Sequence, residues 1–493
     1  MYIDMKKKFL WLTIIPFLIS ACQTNNGQSI TSSDIDDGVG FVKKDVSIDF
    51  LCFADNHYIN ELQGMIADFK NVEPHVTVNL INPLSVGNYS VLEKIVISGF
   101  FKEDYPDLAQ CYPDNVVKYM ERDYVVSLDK YLNDPNYGLG EEKDDYIPEF
   151  LNEGMGYSKE GTYSLPFCKS TELMYYNADV LLGLNLSTID SSINNGQPLD
   201  ADYLDSLSWE ELFGKLCPAI KEYNQTNKIF ETSGNYGIVT YDSDENFFIT
   251  LAEQYGYGYT SYNKESGQGS IDFENDGMKA LMKTMKSAKD NGYLETRGSY
   301  GDYVSSLFKS RHSLFTISST ASTSYNLLDD GDLKDGLVPF NIGVAKIPHA
   351  AGKNYASINQ GPSICILDHH DDNRSLAAFL FWKHITNKNN SASWPVHTGY
   401  MGIRHSVYES EAYRNSLIVD ENSTIAEKLT AANMKKTADV SGYTFNTAIF
   451  NGSSDARSNA GKLLIDCLLS DDLDAEIDTL FKTYADEARS HLD

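Results

Sequence analysis

Between Val46 and Ile81 the apolar residues change period twice, and this change restricts the fold more than any other feature of the chain. VSIDFLCFAD is a short apolar run. In YINELQGMIADFKN, residues Ile59, Leu62, Met65, Ile66 and Phe69 fall on one helical face, and in HVTVNLI, Val76, Val78 and Leu80 alternate after the breaker Pro74. A strand, a crossover helix and a second strand of this length predict a parallel sheet in an α/β unit.

The same punctuation recurs as a helix from about Tyr89 to Ser98, a short buried strand at Pro106 to Tyr112, and a helix after Asp114, whose carboxylate is placed to cap it. Ligands in such sheets bind outside the carboxyl ends of the strands, which puts Asp55, His57, Tyr112 and Asp114 on one rim. Further on, Ser208-Trp209-Glu210-Glu211 reads as a capping box opening a helix buried through Phe213, Leu216, Cys217 and Ile220. Met278, Leu281, Met282 and Met285 lie at core spacing on another helix. GPSICIL predicts a buried strand, SLAAFLFWKHI a mostly buried helix, and the last forty residues helix with a charged outer face.

The N-terminal segment fixes the compartment. Lys6, Lys7 and Lys8 precede an apolar run from Phe9 to Ile19 that is too short to span a bilayer and reads as a signal h-region. Ile19-Ser20-Ala21-Cys22 resembles a bacterial lipoprotein lipobox, which implies that Cys22 becomes a lipidated N-terminus. Asp4 is unusual in an n-region, which makes Met5 an alternative start. From Gln23 to about Lys44 the chain is polar and aperiodic, as a flexible tether is. The remaining chain of about 450 residues exceeds what one core supports, so two lobes are expected.

Seventy acidic against forty basic residues give a net charge of -30, which disfavours nucleic acid and anionic lipid surfaces as partners. Of the seven cysteines, Cys52, Cys168, Cys365 and Cys467 sit in apolar runs without metal-ligand spacing and read as small core residues. No cofactor motif is present. In YDSDENFFITLAE, Asp242, Asp244, Asn246 and Glu253 occupy four ligand places of a calcium loop, but Phe247 stands where the turn needs glycine. The segment reads instead as a helix capped by Asp242 or Asp244, and no metal is expected. His369 and His370 read as exposed loop residues.

The order of four segments, PDLAQCYPD (Pro106 to Asp114), LPFCKSTELMYYNADVL (Leu165 to Leu181), SWEEL (Ser208 to Leu212) and HTGYMGIRHSVY (His397 to Tyr408), resembles the extracellular solute-binding proteins of bacterial ABC transporters, specifically sugar-binding lipoproteins related to maltose-binding protein. The resemblance implies a two-lobed, type II periplasmic-binding-protein-like α/β fold, each lobe a mostly parallel sheet flanked by helices, joined by a multi-strand hinge that lets the lobes close on a ligand. It implies residues 1–21 as lipoprotein signal peptide and 22–45 as lipid-anchored tether. Residues 46–168 with 345–393 form the first lobe, and 169–344 with 394–493 the second.

It also implies a carbohydrate ligand, permease subunits as partners, and a monomer touching the membrane only through its lipid. A pyranose presents apolar faces to aromatic rings and hydroxyls to paired donors and acceptors. The chain has 32 tyrosines, and Tyr112, Tyr241, Trp394 and Tyr400 fall where the family places cleft aromatics, Trp394 opening a loop. Polar candidates are Asp55, Asp114, Ser170, Thr171, Asp242, Ser319 and Thr320, joined in the ligand set by His57 and Gly361. A phosphorylated polyol such as glycerol 3-phosphate is the alternative and requires Arg404, Lys169 or another cation to face the cleft.

A surface glycoside hydrolase or adhesin is a third reading, for which the pairs Glu141-Glu142, Asp144-Asp145 and Asp371-Asp372 are too ordinary in so acidic a chain. Catalysis at Lys169, Ser170 and Thr171 is disfavoured, since successive strand residues point to opposite faces. LPFCKSTELMYYN therefore reads as a hinge strand, with Leu165 to Cys168 packed and Lys169 to Thr171 reaching the cleft rim through Ser170.

Overall fold

The computed structural model describes residues 40–54, 58–83, 90–232, 234 and 236–492. The expected signal peptide, Cys22 and most of the expected tether lie outside the described residues, as do Asp55 and His57.

Strands β1 (Val46–Leu51), β2 (Val76–Ile81), β3 (Leu108–Cys111) and β4 (Leu165–Pro166) come first in the chain. They are followed by β5 (Glu172–Asn177), β6 (Val239–Tyr241), the antiparallel hairpin β7 (Thr260–Asn263) and β8 (Gln268–Ile271), β9 (Leu294–Thr296) and β10 (Phe315–Ser319). The last are β11 (Ile342–Lys346), β12 (Ser357–Ile358), β13 (Ser363–Ile366) and β14 (Thr444–Phe445). Two five-stranded sheets result, in the orders β2-β1-β3-β13-β4 and β11-β5-β10-β6-β9.

Each sheet has a parallel trio and a reversed strand beside it. In the first, β1 runs parallel to β2, Val46 opposite Val76, and to β3, while β13 is antiparallel to β3 and β4. In the second, β6 is parallel to β9 and β10, and β5 is antiparallel to β10 and β11. Strands β3, β5 and β13 are buried along their whole length, and apolar residues dominate each of them beside the buried polar Gln110, Glu172, Asn177 and Ser363.

The two largest hydrophobic clusters of the described residues follow the two sheets. Phe50, Phe69, Phe381 and Trp382 centre the first, and Trp382 donates its indole N–H to the Pro166 carbonyl at 3.0 Å. Trp209, Phe247, Phe248, Met282 and Phe481 centre the second, with the helices Ser453–Leu469 and Leu473–Arg489 packed over it. All six described cysteines are buried.

Two segments near the expected lobe boundaries pack as follows. Residues 342–358 stay with the second sheet, because β11 hydrogen-bonds along β5 over five register pairs and Ala345 and Ile347 enter the second core. Residues 394–403 stay with the first core, because Trp394 packs 5.2 Å from the rings of both Phe167 and Tyr58. Trp394 therefore sits inside the helix Lys388–Thr398 rather than at the start of a loop.

The capping reading at Ser208 holds in one half. Its hydroxyl accepts the Glu211 N–H at 3.1 Å, whereas the Glu211 carboxylate takes the Tyr203 phenol at 3.2 Å. Ser208→Ala is expected to lower stability by about 1 kcal/mol, read from the urea midpoint at unchanged slope.

Candidate functional site

The chain passes between the sheets at Phe167–Thr171 and again at Ile358–Pro362, and these crossings are fastened to each other. Ser170 and Gln360 exchange backbone hydrogen bonds at 2.9 Å in both directions. Gly361 has a φ of +94°, and a Cβ there would lie 1.9 Å from the Cys168 carbonyl oxygen, so this contact requires glycine. Gly361 is thus a packing residue of the crossing.

The polar triplet is internal rather than on the rim. The Lys169 side chain is 0% exposed, forms an ion pair with Glu153 (8% exposed) and donates to the Gly361 carbonyl at 3.2 Å. Thr171 donates its hydroxyl to the Ile358 carbonyl at 2.8 Å and lies 2.9 Å from the Ser357 hydroxyl. Ser170 is buried as well. The expectation that Lys169 to Thr171 reach the rim is corrected, because polar groups removed from water must pair within the fold.

From the start of β5 a continuous polar chain runs back to the first body. Glu172 is buried and accepts hydrogen bonds from the Tyr241 phenol, at the end of β6, and from the Asn246 amide at 3.0 Å. The same amide reaches the Gln360 side-chain oxygen at 2.5 Å, and the Asn246 oxygen accepts from Arg457 Nη1 at 2.9 Å. Arg457 Nε lies 3.6 Å from Asp114, which also accepts the Ser453 hydroxyl at 2.9 Å. Asp114 follows β3, and Ser453 and Arg457 open a helix packed on the second core, so the contact joins the two bodies.

The electrostatics of this cluster are set first by burial. Burial pushes Glu172 up to about 7, against the hydrogen bonds from Tyr241 and Asn246. Burial also raises Asp114, opposed by Arg457 and Ser453. Two tyrosines flank the Arg457 charge. Tyr112 is pushed up to about 12 by burial, with Arg457 pulling it down, and Tyr259 is raised by burial, again opposed by Arg457 and reinforced by Asp114 and Glu245. The Tyr259 hydroxyl is buried with no hydrogen-bond partner among the described residues.

Of the residues singled out from sequence, the structure brings Tyr112, Asp114 and Tyr241 into this cluster. Asp114 does not cap its helix as expected. Tyr112 stands at the N-cap, and its N–H is taken by the Asn115 side chain at 3.0 Å, leaving Asp114 for Ser453 and Arg457. Asp242 is raised to about 6 by burial, against Arg297 and the Val304 N–H, and one of its oxygens is buried without a partner among the described residues.

Ser319 accepts the Ala321 N–H at 3.2 Å, and Thr320 gives its N–H to the Thr171 carbonyl at 2.8 Å. Trp394 and Tyr400 join Tyr58 in an aromatic cluster of the first core, with Trp394 only 5% exposed. Both rings pack within the first core in this structure.

Arg404 is corrected too. It is buried over the Tyr146 ring at 4.0 Å and donates to the Thr386 carbonyl at 2.6 Å and the Tyr146 hydroxyl at 2.7 Å, beside Asp145 and Glu142. Ser243, not Asp242 or Asp244, caps the helix Asp244–Tyr255, and Asp244 is held by Thr296 and the Gly298 N–H. His369 is not exposed but stacked on Tyr105 at 4.2 Å, whereas His370 is 84% exposed. Among the described residues no group of three metal-ligating side chains is placed to hold an ion.

Sequence reasoning missed Glu172, Tyr259, Gln360 and Arg457, and placed Asn246 only in the calcium-loop pattern. Arg457 looks like any charged residue in a polar helix turn, and only its approach to Asp114, 343 positions earlier, marks it.

A family model for bacterial extracellular solute-binding protein matches residues 65–419. No curated protein matches by sequence. Among solved structures, UgpB from Mycobacterium tuberculosis in complex with glycerophosphocholine is 17% identical, with a TM-score of 0.67 over 90% of this chain and 98% of that one. The GacH receptor of Streptomyces glaucescens, solved unliganded and with acarbose, is 15% identical, with a TM-score of 0.63 over 92% and 98%. MalE from Bdellovibrio bacteriovorus bound to maltotriose is 13% identical, with a TM-score of 0.61 over 90% and 100%. At these identities the likeness establishes the two-lobed fold. Among the described residues no helix is long and apolar enough to cross a membrane.

Proposed function

The chain belongs to the bacterial extracellular solute-binding proteins, the substrate-binding components of ABC importers, and from that premise we propose that it captures a carbohydrate between its two bodies and presents it to a permease, making and breaking no bond. The observation that carries this reading is the joining of tyrosines from both bodies, Tyr112 and Tyr259, around a charge-balanced polar set in which Arg457 already faces Asp114. A tyrosine from each body and a buried Tyr259 hydroxyl with no hydrogen-bond partner among the described residues suit a neutral ligand rich in hydroxyls.

The same balance argues against a phosphorylated polyol. Lys169 and Arg404 are committed to internal partners, and Arg457, the cation in the cluster, is shared with Asp114 and Asn246. Two solved relatives carry sugar-like ligands, acarbose and maltotriose, whereas one carries glycerophosphocholine, so both classes belong in the test.

A thermal-shift panel of mono- and oligosaccharides, with glycerol 3-phosphate and glycerophosphocholine included, is expected to raise the melting temperature for sugars alone. Arg457→Ala is expected to weaken the responding sugar by roughly 5- to 150-fold, the loss of about 1–3 kcal/mol when a charged donor is removed. A shift with the phosphate esters only would overturn the carbohydrate reading. Anchoring through a lipid on Cys22 completes the proposal, and Cys22→Ala should release the protein from membranes into the medium.

A further inference from the structure

We propose that the second body carries a separate carbohydrate site on its outer face, distinct from the interlobe cluster and independent of that reading. A pocket of about 690 Å³ opens between the helix Asp276–Asp290, the turn after Ser208 and the end of the helix Asp244–Tyr255, within the volume range of small-molecule sites. Asn246 of the interlobe cluster and Tyr255 of this pocket are nine residues apart on one helix, roughly 14 Å along its axis.

Aromatic walls come from several elements. Tyr255 and Tyr257 lie with ring planes 22° apart at 5.7 Å, and Tyr257 is 40% exposed. Gly277 makes this possible, since a Cβ there would lie 2.6 Å from the Tyr257 ring. The Tyr255 phenol donates to Glu210 at 2.9 Å, which holds that ring in place. Opposite, the helix after Trp209 widens into a π-turn over Leu212–Leu216. Pro218 has no N–H for the Gly214 carbonyl, and its ring would crowd that oxygen in regular α geometry. Such turns are rare and recur at functional sites, and this one sets Phe213 and Gly214 in the pocket wall.

The charges at the rim are already matched within the chain. Glu210 also accepts the Ala351 N–H at 3.0 Å, and Lys283 pairs with Asp474 at 2.5 Å. What faces a ligand is therefore ring surface together with the exposed hydroxyls of Thr284 and Ser287. A neutral molecule with apolar C–H faces and many hydroxyls is the class that fits, namely a sugar.

Calorimetric titration with maltotriose and with cellotriose tests the site. Wild type is expected to bind one of them at two sites. Gly214→Trp, whose Cβ would meet no atom within 4 Å, should fill the pocket and weaken one site by roughly tenfold or more, as should the surface change Tyr257→Ala. Arg457→Ala should weaken only the other site. A single site lost with Arg457→Ala and indifferent to both pocket variants would overturn this proposal and leave the interlobe reading standing. A single site lost with the pocket variants would do the reverse, and no binding of either sugar would overturn both.

Discussion

Lys169→Met is expected to destabilise the protein by about 3–5 kcal/mol, the usual result of removing one partner of a buried ion pair. The ammonium is fully buried against Glu153, and the same carboxylate accepts the Ser363 hydroxyl at 3.1 Å. Without Lys169, the largely buried Glu153 carboxyl loses its counter-charge, and the Gly361 carbonyl loses its donor at the point where the two crossings touch. The double variant Lys169→Met, Glu153→Gln is expected to recover most of the loss, because an amide and a thioether carry no unpaired charge. Urea unfolding of the four proteins of this cycle gives the coupling directly. A single-variant loss below about 1 kcal/mol, the size of an exposed pair, would refute the assignment.

Glu172 gives the second large effect, and it depends on pH. Its carboxyl is buried and held near 7 against an ordinary value of 4.5, so the folded state prefers the protonated form. Between those two values the folded chain binds more protons than the unfolded one, and stability falls as pH rises. The contribution is fully present below about 4.5 and is lost as pH rises through about 7, a difference of about 3 kcal/mol. Glu172→Gln mimics the protonated form and should remove this dependence. Asp242, raised to about 6 in the same sense, stays in both proteins, and its charge adds to the rise at Glu172. Unfolding at pH 5 and pH 9 should therefore show Glu172→Gln gaining about 3 kcal/mol on wild type at the alkaline end. Parallel pH profiles would show that Glu172 is not held in its neutral form.

Much of the fold was legible because it is written in local periods. The switch from apolar run to helical face to alternation between Val46 and Ile81 appears as β1, the helix Ile59–Val72 and β2, and GPSICIL appears as β13. The stretch LPFCKSTELMYYN was also rightly read as a crossing between sheets, with β4 at one end and β5 at the other. The candidate site was much less legible. Side chains taken for cleft groups, Trp394, Tyr400, Arg404, Ser170 and Thr171, are consumed by packing and internal hydrogen bonds.

Sequence by itself therefore determined the α/β class, the positions of the main strands and helices, and the place where the chain crosses between its halves. Hydrophobic spacing and turn residues act over a few positions and can be read there. Only the tertiary structure decided that Lys169 meets Glu153, that Glu172, Asn246, Gln360 and Arg457 form one chain, and that Arg457 reaches Asp114. The physical reason is that a polar side chain looks the same in sequence whether water or a distant partner satisfies it. Burial removes the water, and the fold then supplies the partner.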